Sequence, residues 1–223
     1  MTATDLRDPR HSPPWGVFVT GTDTGVGKTL TSACLVRAWG AAYWKPVQTG
    51  RALEPGDTAT VADLAAVSPD RLLAPRHTFQ APLSPQAAAA LEGVGITLED
   101  FRLPTTGHPM VVEGAGGVLV PLSDTTLMID LMARLALPVV VVARTDLGTI
   151  NHTLLTLSAL RTRHLRIAGV VLNGPANPDN RAAIEHFGGV PVLADLPRLP
   201  RVDSAAVTCL AKERIPALLS VLP

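Results

Sequence analysis

The densest chemistry in the chain lies in residues 21–30, GTDTGVGKTL. A phosphate-binding P-loop is written G-x-x-x-x-G-K-[ST]: glycines let backbone amides turn inward, the lysine reaches the β- and γ-phosphates, and the hydroxyl binds Mg²⁺. Here five residues separate Gly21 from Gly27, and Thr22 stands where the first glycine belongs. Setting outweighs that count. The stretch follows an apolar strand directly and runs into an apolar-periodic helix, so its amides would meet an anion at a helix N-terminus. On that reading Gly25, Val26, Gly27, Lys28, Thr29 and Leu30 bind the phosphates of ATP, and Thr29 also offers its hydroxyl to Mg²⁺. The alternative is a strand-to-helix turn with Lys28 on the surface.

Mg²⁺ held by one hydroxyl needs further oxygens, usually one or two carboxylates with phosphate and water. Glu113 ends the run MVVE just before GAGG, at the carboxyl edge where open α/β sheets bind ligands. Asp57, in EPGDTATVADL, is a second candidate. A solvated strand end is the plain alternative for Glu113, and a helix N-cap for Asp57. Lys45 in YWKPVQTG is either an ordinary surface lysine or a stabiliser of charge in phosphoryl transfer. Thr49 and Gly50 form the turn that follows it. Gly148, Thr149 and Ile150 make a second amide-lined helix start suited to a carboxylate or phosphate, unless Thr149 simply caps the helix. Asn173 closes VVLN with an amide able to read adenine, or merely forms a turn before Gly174. His152 and the other histidines show no metal-ligand spacing.

The elements that must carry these groups follow from pattern. Continuous apolar runs at 15–20, 110–113, 138–143, 166–172 and 190–196 predict strands covered on both faces, as in a parallel sheet. Helical periodicity falls at 27–39, 84–92, 126–136, 149–163, 179–187 and 204–214. Residues 40–45 predict another short strand, and 46–82 reads mostly as loop with one helix near 57–66. The fold class is α/β: a three-layer P-loop NTPase-type fold, a mostly parallel central sheet with helices on both faces. Residues 1–14 read as a flexible tail and 15–223 as a single domain.

Composition narrows the partners. The 223 residues carry 19 basic and 19 acidic side chains, a balance that argues against nucleic acid or an anionic membrane as partner. No apolar run approaches a membrane span, and the N-terminus has no signal-peptide core, so a cytoplasmic protein is expected. Cys34 and Cys209 are too few for a disulfide framework or zinc site and are expected to be small buried hydrophobes.

The ordered strings VTGTDTGVGKT, KPVQTG, VEGAGGVLVPLSD and DLGTINHT resemble the dethiobiotin synthetases, ATP-dependent cyclo-ligases of biotin biosynthesis. The likeness runs from about Trp15 to the C-terminus, and the family's loop has the longer spacing seen here. It implies a homodimer whose substrate is held partly by the neighbouring subunit. Lys28 is then the phosphate lysine, and Thr29, Asp57 and Glu113 the Mg²⁺ ligands. Thr24 and Lys45 contact the reacting carbamate, and Thr49 is a substrate-contacting hydroxyl. Gly148, Thr149, Ile150 and Asn151 cap the substrate's distal carboxylate across the dimer interface, and Asn173 faces the base. The implied reaction joins 7,8-diaminopelargonate with CO₂ to a carbamate. ATP converts that to a carbamoyl-phosphate mixed anhydride, and ring closure gives dethiobiotin, ADP and phosphate.

Two departures stand out: Gly25 replaces a residue that is often acidic, and the segment between Thr29 and Lys45 is short. A cobyrinate-type amidoligase would need a glutaminase domain for which the chain has no room. A partitioning-type ATPase switch would need a basic face or amphipathic terminal helix, and LNGP lacks the N-K-x-D pattern of a GTPase.

Overall fold

Runs of Val and Ile without polar alternation must be buried on both faces, and a parallel sheet between two helical layers does that. The computed structural model describes residues 15–217; the tail expected at 1–14 lies outside the described residues. The strands are β1 (Gly16–Gly21), β2 (Ala42–Trp44), β3 (Val47–Gln48), β4 (Leu72–Leu73), β5 (His77–Thr78), β6 (Met110–Gly117), β7 (Val139–Arg144), β8 (Ile167–Asn173) and β9 (Val192–Leu196). The helices are α1 (Lys28–Trp39), α2 (Asp57–Ala65), α3 (Pro85–Leu91), α4 (Met128–Leu135), α5 (Thr149–Thr162), α6 (Pro178–Gly188) and α7 (Ser204–Glu213).

Among the described residues one seven-stranded sheet has the order β4-β2-β6-β1-β7-β8-β9, and all its pairings are parallel. Strand alternation sends Val17, Val19, Tyr43, Val111 and Val140 to one face, packed with Cys34, Val61 and Val207 from α1, α2 and α7. It sends Phe18, Trp44, Met110, Val112 and Val139 to the other, against Ala88, Met128, Leu157 and Ile184 from α3 to α6. This is the expected three-layer arrangement. From β1 the chain crosses to β2, on the β6 side; from β6 it crosses to β7, on the far side of β1. That reversal opens a crevice beyond the carboxyl end of β1, where such sheets hold ligands.

Three expectations are corrected. β6 continues to Gly117 instead of ending at Glu113: the register with β1 shifts between Val19 and Gly21, and Gly117 pairs again with Gly21. Residues 46–82 hold β3, β4 and β5 as well as α2; these two-residue strands are fixed by partners distant in sequence, such as Leu72 beside Tyr43. Cys34 is buried, which pushes its thiol up to about 12, but Cys209 is exposed. α7 turns Val207, Leu210 and Ala211 inward and leaves Cys209 on its outer side. Among the described residues no helix is long and apolar enough to cross a membrane.

Candidate functional site

The loop between β1 and α1 is tied down from several directions. The Thr22 amide donates to the Val142 carbonyl at 3.0 Å, extending the pairing of β1 with β7. The Thr24 amide donates to the Asp23 carboxylate at 2.7 Å. Lys28 curls back, its Nζ donating to the Asp23 carbonyl at 3.0 Å. Gly27 precedes α1 at φ 97°, a left-handed conformation that favours glycine. A Cβ there would also lie 2.1 Å from Asn173 Nδ2. That amide donates to the Val26 carbonyl at 3.0 Å, so the end of β8 holds the loop in place.

Beside the loop, four chemically active side chains meet. Glu113 is only 1% exposed and Lys45 only 3%, so neither is a surface residue. Lys45 Nζ lies 3.0 Å from Glu113 Oε1 and 2.7 Å from Asp57 Oδ2, and donates to the Gly114 carbonyl at 2.9 Å. Thr29 Oγ1 lies 2.9 Å from Asp57 Oδ1 and 3.1 Å from Glu113 Oε1. The N-cap of α2 is Gly56, which frees the Asp57 side chain for the site. Gln48 anchors that helix start, its Oε1 accepting from the Asp57 amide at 2.8 Å. The Tyr43 hydroxyl donates to Glu113 Oε2 at 3.0 Å.

Charge is unevenly shared here. Burial alone would lower the Lys45 pKa, but Glu113 and Asp57 outweigh it and hold the ammonium above its ordinary value. Burial alone would raise Asp57, yet the charge and hydrogen bond of Lys45 bring the carboxyl below its usual range. Lys28 is pulled down by burial and then by Lys45, with Glu113, Asp57 and Asp23 only partly opposing. Burial, followed by the Glu113 charge, pushes the Tyr43 phenol well up.

The Thr29 hydroxyl has one proton for two carboxylate oxygens within 3.1 Å. One hydroxyl beside two carboxylates is the kind of hard-oxygen set that takes Mg²⁺. Among the described residues no three His, Cys, Asp or Glu side chains gather as a metal site. A cation here therefore depends on the Thr29 hydroxyl and on oxygens brought by phosphate and water.

Two cavities flank the loop. One of about 340 Å³ is lined by Gly25, Val26, Leu30, Arg144, Asn173 and Leu199, among others. The other, of about 510 Å³, is lined by Asp23, Val118, Leu119, His152 and Leu155, among others. Thr24 lines both and stands at their junction. Thr24, Lys28, Thr29, Lys45, Asp57, Glu113 and Asn173 are thus brought together around the loop. Thr49 and residues 148–151 line neither cavity. Thr149 does not cap α5 with its side chain; its hydroxyl donates instead to the Arg144 carbonyl at 2.5 Å. Sequence reasoning missed Tyr43, Gln48 and Arg144. For Tyr43 a signal existed: it lies two residues before Lys45, and i and i+2 share a strand face.

The AAA domain family matches residues 15–206. The chain is 55% identical over 192 residues to the ATP-dependent dethiobiotin synthetase BioD of Paramagnetospirillum magneticum, covering 86% of this chain and 92% of that one. It is 47% identical over 191 residues to the BioD of Rhodopseudomonas palustris, covering 86% and 90%. It is 59% identical over 209 residues to the biotin biosynthesis bifunctional protein BioCD of Bordetella avium. That match covers 94% of this chain but spans only 45% of the longer relative. Among solved structures, the MinC:MinD cell division protein complex of Aquifex aeolicus superimposes with TM-score 0.54 at 11% identity, over 93% of this chain and 92% of that one. This last likeness concerns the fold alone.

Proposed function

This chain belongs to the ATP-dependent dethiobiotin synthetases, and from that premise we propose how its own residues make dethiobiotin from 7,8-diaminopelargonate. The observation that carries the proposal is the meeting of Thr29, Lys45, Asp57 and Glu113 within about 3 Å contacts beside a loop that begins a helix. Charge neutralisation and positioning are what phosphoryl transfer asks of a protein. The amides of residues 25–30 cradle the phosphates of ATP, and Asn173 borders the cavity where the base lies. Thr29, Asp57 and Glu113 hold Mg²⁺, which when bound neutralises phosphate oxygens.

One amine of the substrate adds to CO₂ and loses a proton, giving the carbamate. Thr24, at the junction of the two cavities, orients it toward the phosphates. The carbamate oxygen attacks the γ-phosphorus and the bond to ADP breaks. Lys28 and Lys45 hold their ammonium charges against the charge that shifts onto the bridging oxygen. The second amine then attacks the carbonyl carbon, a proton leaves and phosphate departs, closing the cyclic urea. Lys45, with its pKa raised, acts as a fixed charge and not as a base.

The molecule works as a homodimer in the cytoplasm, with one domain from residue 15 onward carrying the whole reaction. Thr49 contacts substrate, and Gly148, Thr149, Ile150 and Asn151 cap the carboxylate of substrate bound to the neighbouring subunit. The test is ADP release by the purified protein. It should require both diaminopelargonate and bicarbonate and be matched by dethiobiotin. Hydrolysis independent of both, or stimulated by DNA or lipid, overturns the synthetase reading.

A further inference from the structure

Glu113 has two oxygens with separate tasks. Oε1 faces Thr29 and Lys45, at 3.1 and 3.0 Å. Oε2 accepts the Tyr43 hydroxyl at 3.0 Å, and among the described residues Tyr43 is its donor. Tyr43 itself is fully buried, its ring packed in the apolar layer with Val19, Val111 and Cys34. A phenol placed there needs a partner, and phenylalanine would fill almost the same space without one. Hydrogen bonds to a charged acceptor are among the strong ones, and they fix orientation as well as energy.

We propose that Tyr43 is a positioning residue: it locks the Glu113 carboxylate so that Oε1 is presented to the Mg²⁺ and phosphate side of the site. The proposal rests on the synthetase reading for what Glu113 holds. Tyr43 touches no substrate and acts only through Glu113. Without the hydroxyl, the carboxylate can turn about its last torsion and share Oε1 and Oε2 between the same donors. A metal-ligating carboxylate that loses such a partner binds its metal about 10–100-fold more weakly.

The experiment compares wild-type protein with Tyr43→Phe, reading Mn²⁺ affinity by electron paramagnetic resonance in the presence of ADP. The expected result is Mn²⁺ binding about 10–100-fold weaker. The Mg²⁺ concentration for half-maximal activity should rise in parallel, kcat should recover in part at high metal, and ADP affinity without metal should not change. Mn²⁺ affinity within about twofold of wild type in a folded variant reduces Tyr43 to core packing and overturns the proposal. A second comparison uses Glu113→Gln with and without Tyr43→Phe. This background guards against a folding defect, since removing the carboxylate charge makes the missing hydroxyl less costly. Because Tyr43 acts through Glu113, the added substitution should leave residual Mn²⁺ binding unchanged, and an additive loss overturns the proposal. Wild-type protein that binds Mn²⁺ with ADP yet makes no dethiobiotin defeats the synthetase reading while the Tyr43 comparison stands. Wild-type protein that binds no Mn²⁺ defeats both.

Discussion

Two lysines of one site are perturbed in opposite directions, and that separates their roles. Lys45, raised by Glu113 and Asp57 against the effect of burial, keeps its proton well into the alkaline range. Lys28, lowered by burial and by Lys45, loses its proton below the ordinary 10.5 as pH rises. The free enzyme sets the pH dependence of kcat/KM and the complex that of kcat. For ATP, kcat/KM should therefore fall on the alkaline side below pH 10.5, while bound phosphate, favouring the ammonium, moves the kcat limb higher. Lys28→Arg should remove the lower limb; coincident limbs in the unaltered protein would take Lys28 out of phosphate binding. Replacing Lys28 or Lys45 by Ala should cost at least about 10²–10³ in turnover, as for other lost transition-state charges. Near-normal turnover excuses that residue from the mechanism. Lys45→Ala also leaves two carboxylates without their buried partner, a loss of about 3–5 kcal/mol by analogy with broken buried pairs. The sign follows from the two shifts. Lys45, raised, contributes stability that is full below 10.5 and lost as pH climbs through its folded value. Asp57, lowered, contributes stability present above 3.8 and lost as pH falls through its folded value. Between those limits urea titration should find the largest gap between Lys45→Ala and the unaltered chain; a gap that does not vary with pH contradicts the pairing.

At the level of elements, the loop is shaped by what β8 presses against it. Gly27→Ala places a Cβ at φ 97° and 2.1 Å from Asn173 Nδ2, so strain and a displaced asparagine come together. A non-glycine residue held there costs about 1–3 kcal/mol. The variant should unfold at lower temperature and bind ADP at least about tenfold more weakly, since the amides it tilts are the ones proposed to face the anion. Calorimetry that finds unchanged ADP affinity would show that the loop tolerates the shift. Long periodic elements were legible in sequence because each repeats its pattern several times: the runs that became β7 and β8, and the stripe that became α4, left little choice. β3, β4 and β5 were not legible, since two residues have no period and their positions come from Tyr43, Pro46 and other distant partners. The same limit applied to the site. Lys28 and Thr29 could be read from local spacing, because a loop and a helix start suffice to aim them. Gln48 could not, because its task depends on where Asp57 arrives from another part of the chain; for Tyr43 the strand alternation with Lys45 gives its face, but its partner Glu113 comes from far along the chain. For Cys209 residue type suggests burial, whereas the rotation of α7 leaves it exposed.

For the whole molecule, the start of α5 and the leucines near it lie on the outer surface. Gly148 and Asn151 are exposed and away from both cavities of their own chain. Leu147 beside them is fully exposed, and Leu119 and Leu155 stand well out of the larger cavity's wall, at 59% and 62% exposure. Exposed apolar groups at a cavity rim gain from cover by a partner surface, and a two-fold dimer supplies such cover with one repeated contact. Leu155→Asp should then shift sedimentation toward a single chain and raise the KM for diaminopelargonate while leaving ADP affinity intact. A stricter test mixes two inactive variants. Lys28→Ala removes the lysine proposed to hold phosphate, and Asn151→Asp places a carboxylate at the first turn of α5, where the proposal puts the substrate's own. If each site draws its loop from one chain and its α5 from the other, a mixed dimer holds one site with both defects and one with neither. Random exchange makes half the dimers mixed, each with one of its two sites intact, so about a quarter of the unaltered activity should return. Mixing that restores nothing, with exchange verified by mass, would mean that each chain completes its own site and that residues 148–151 serve another purpose.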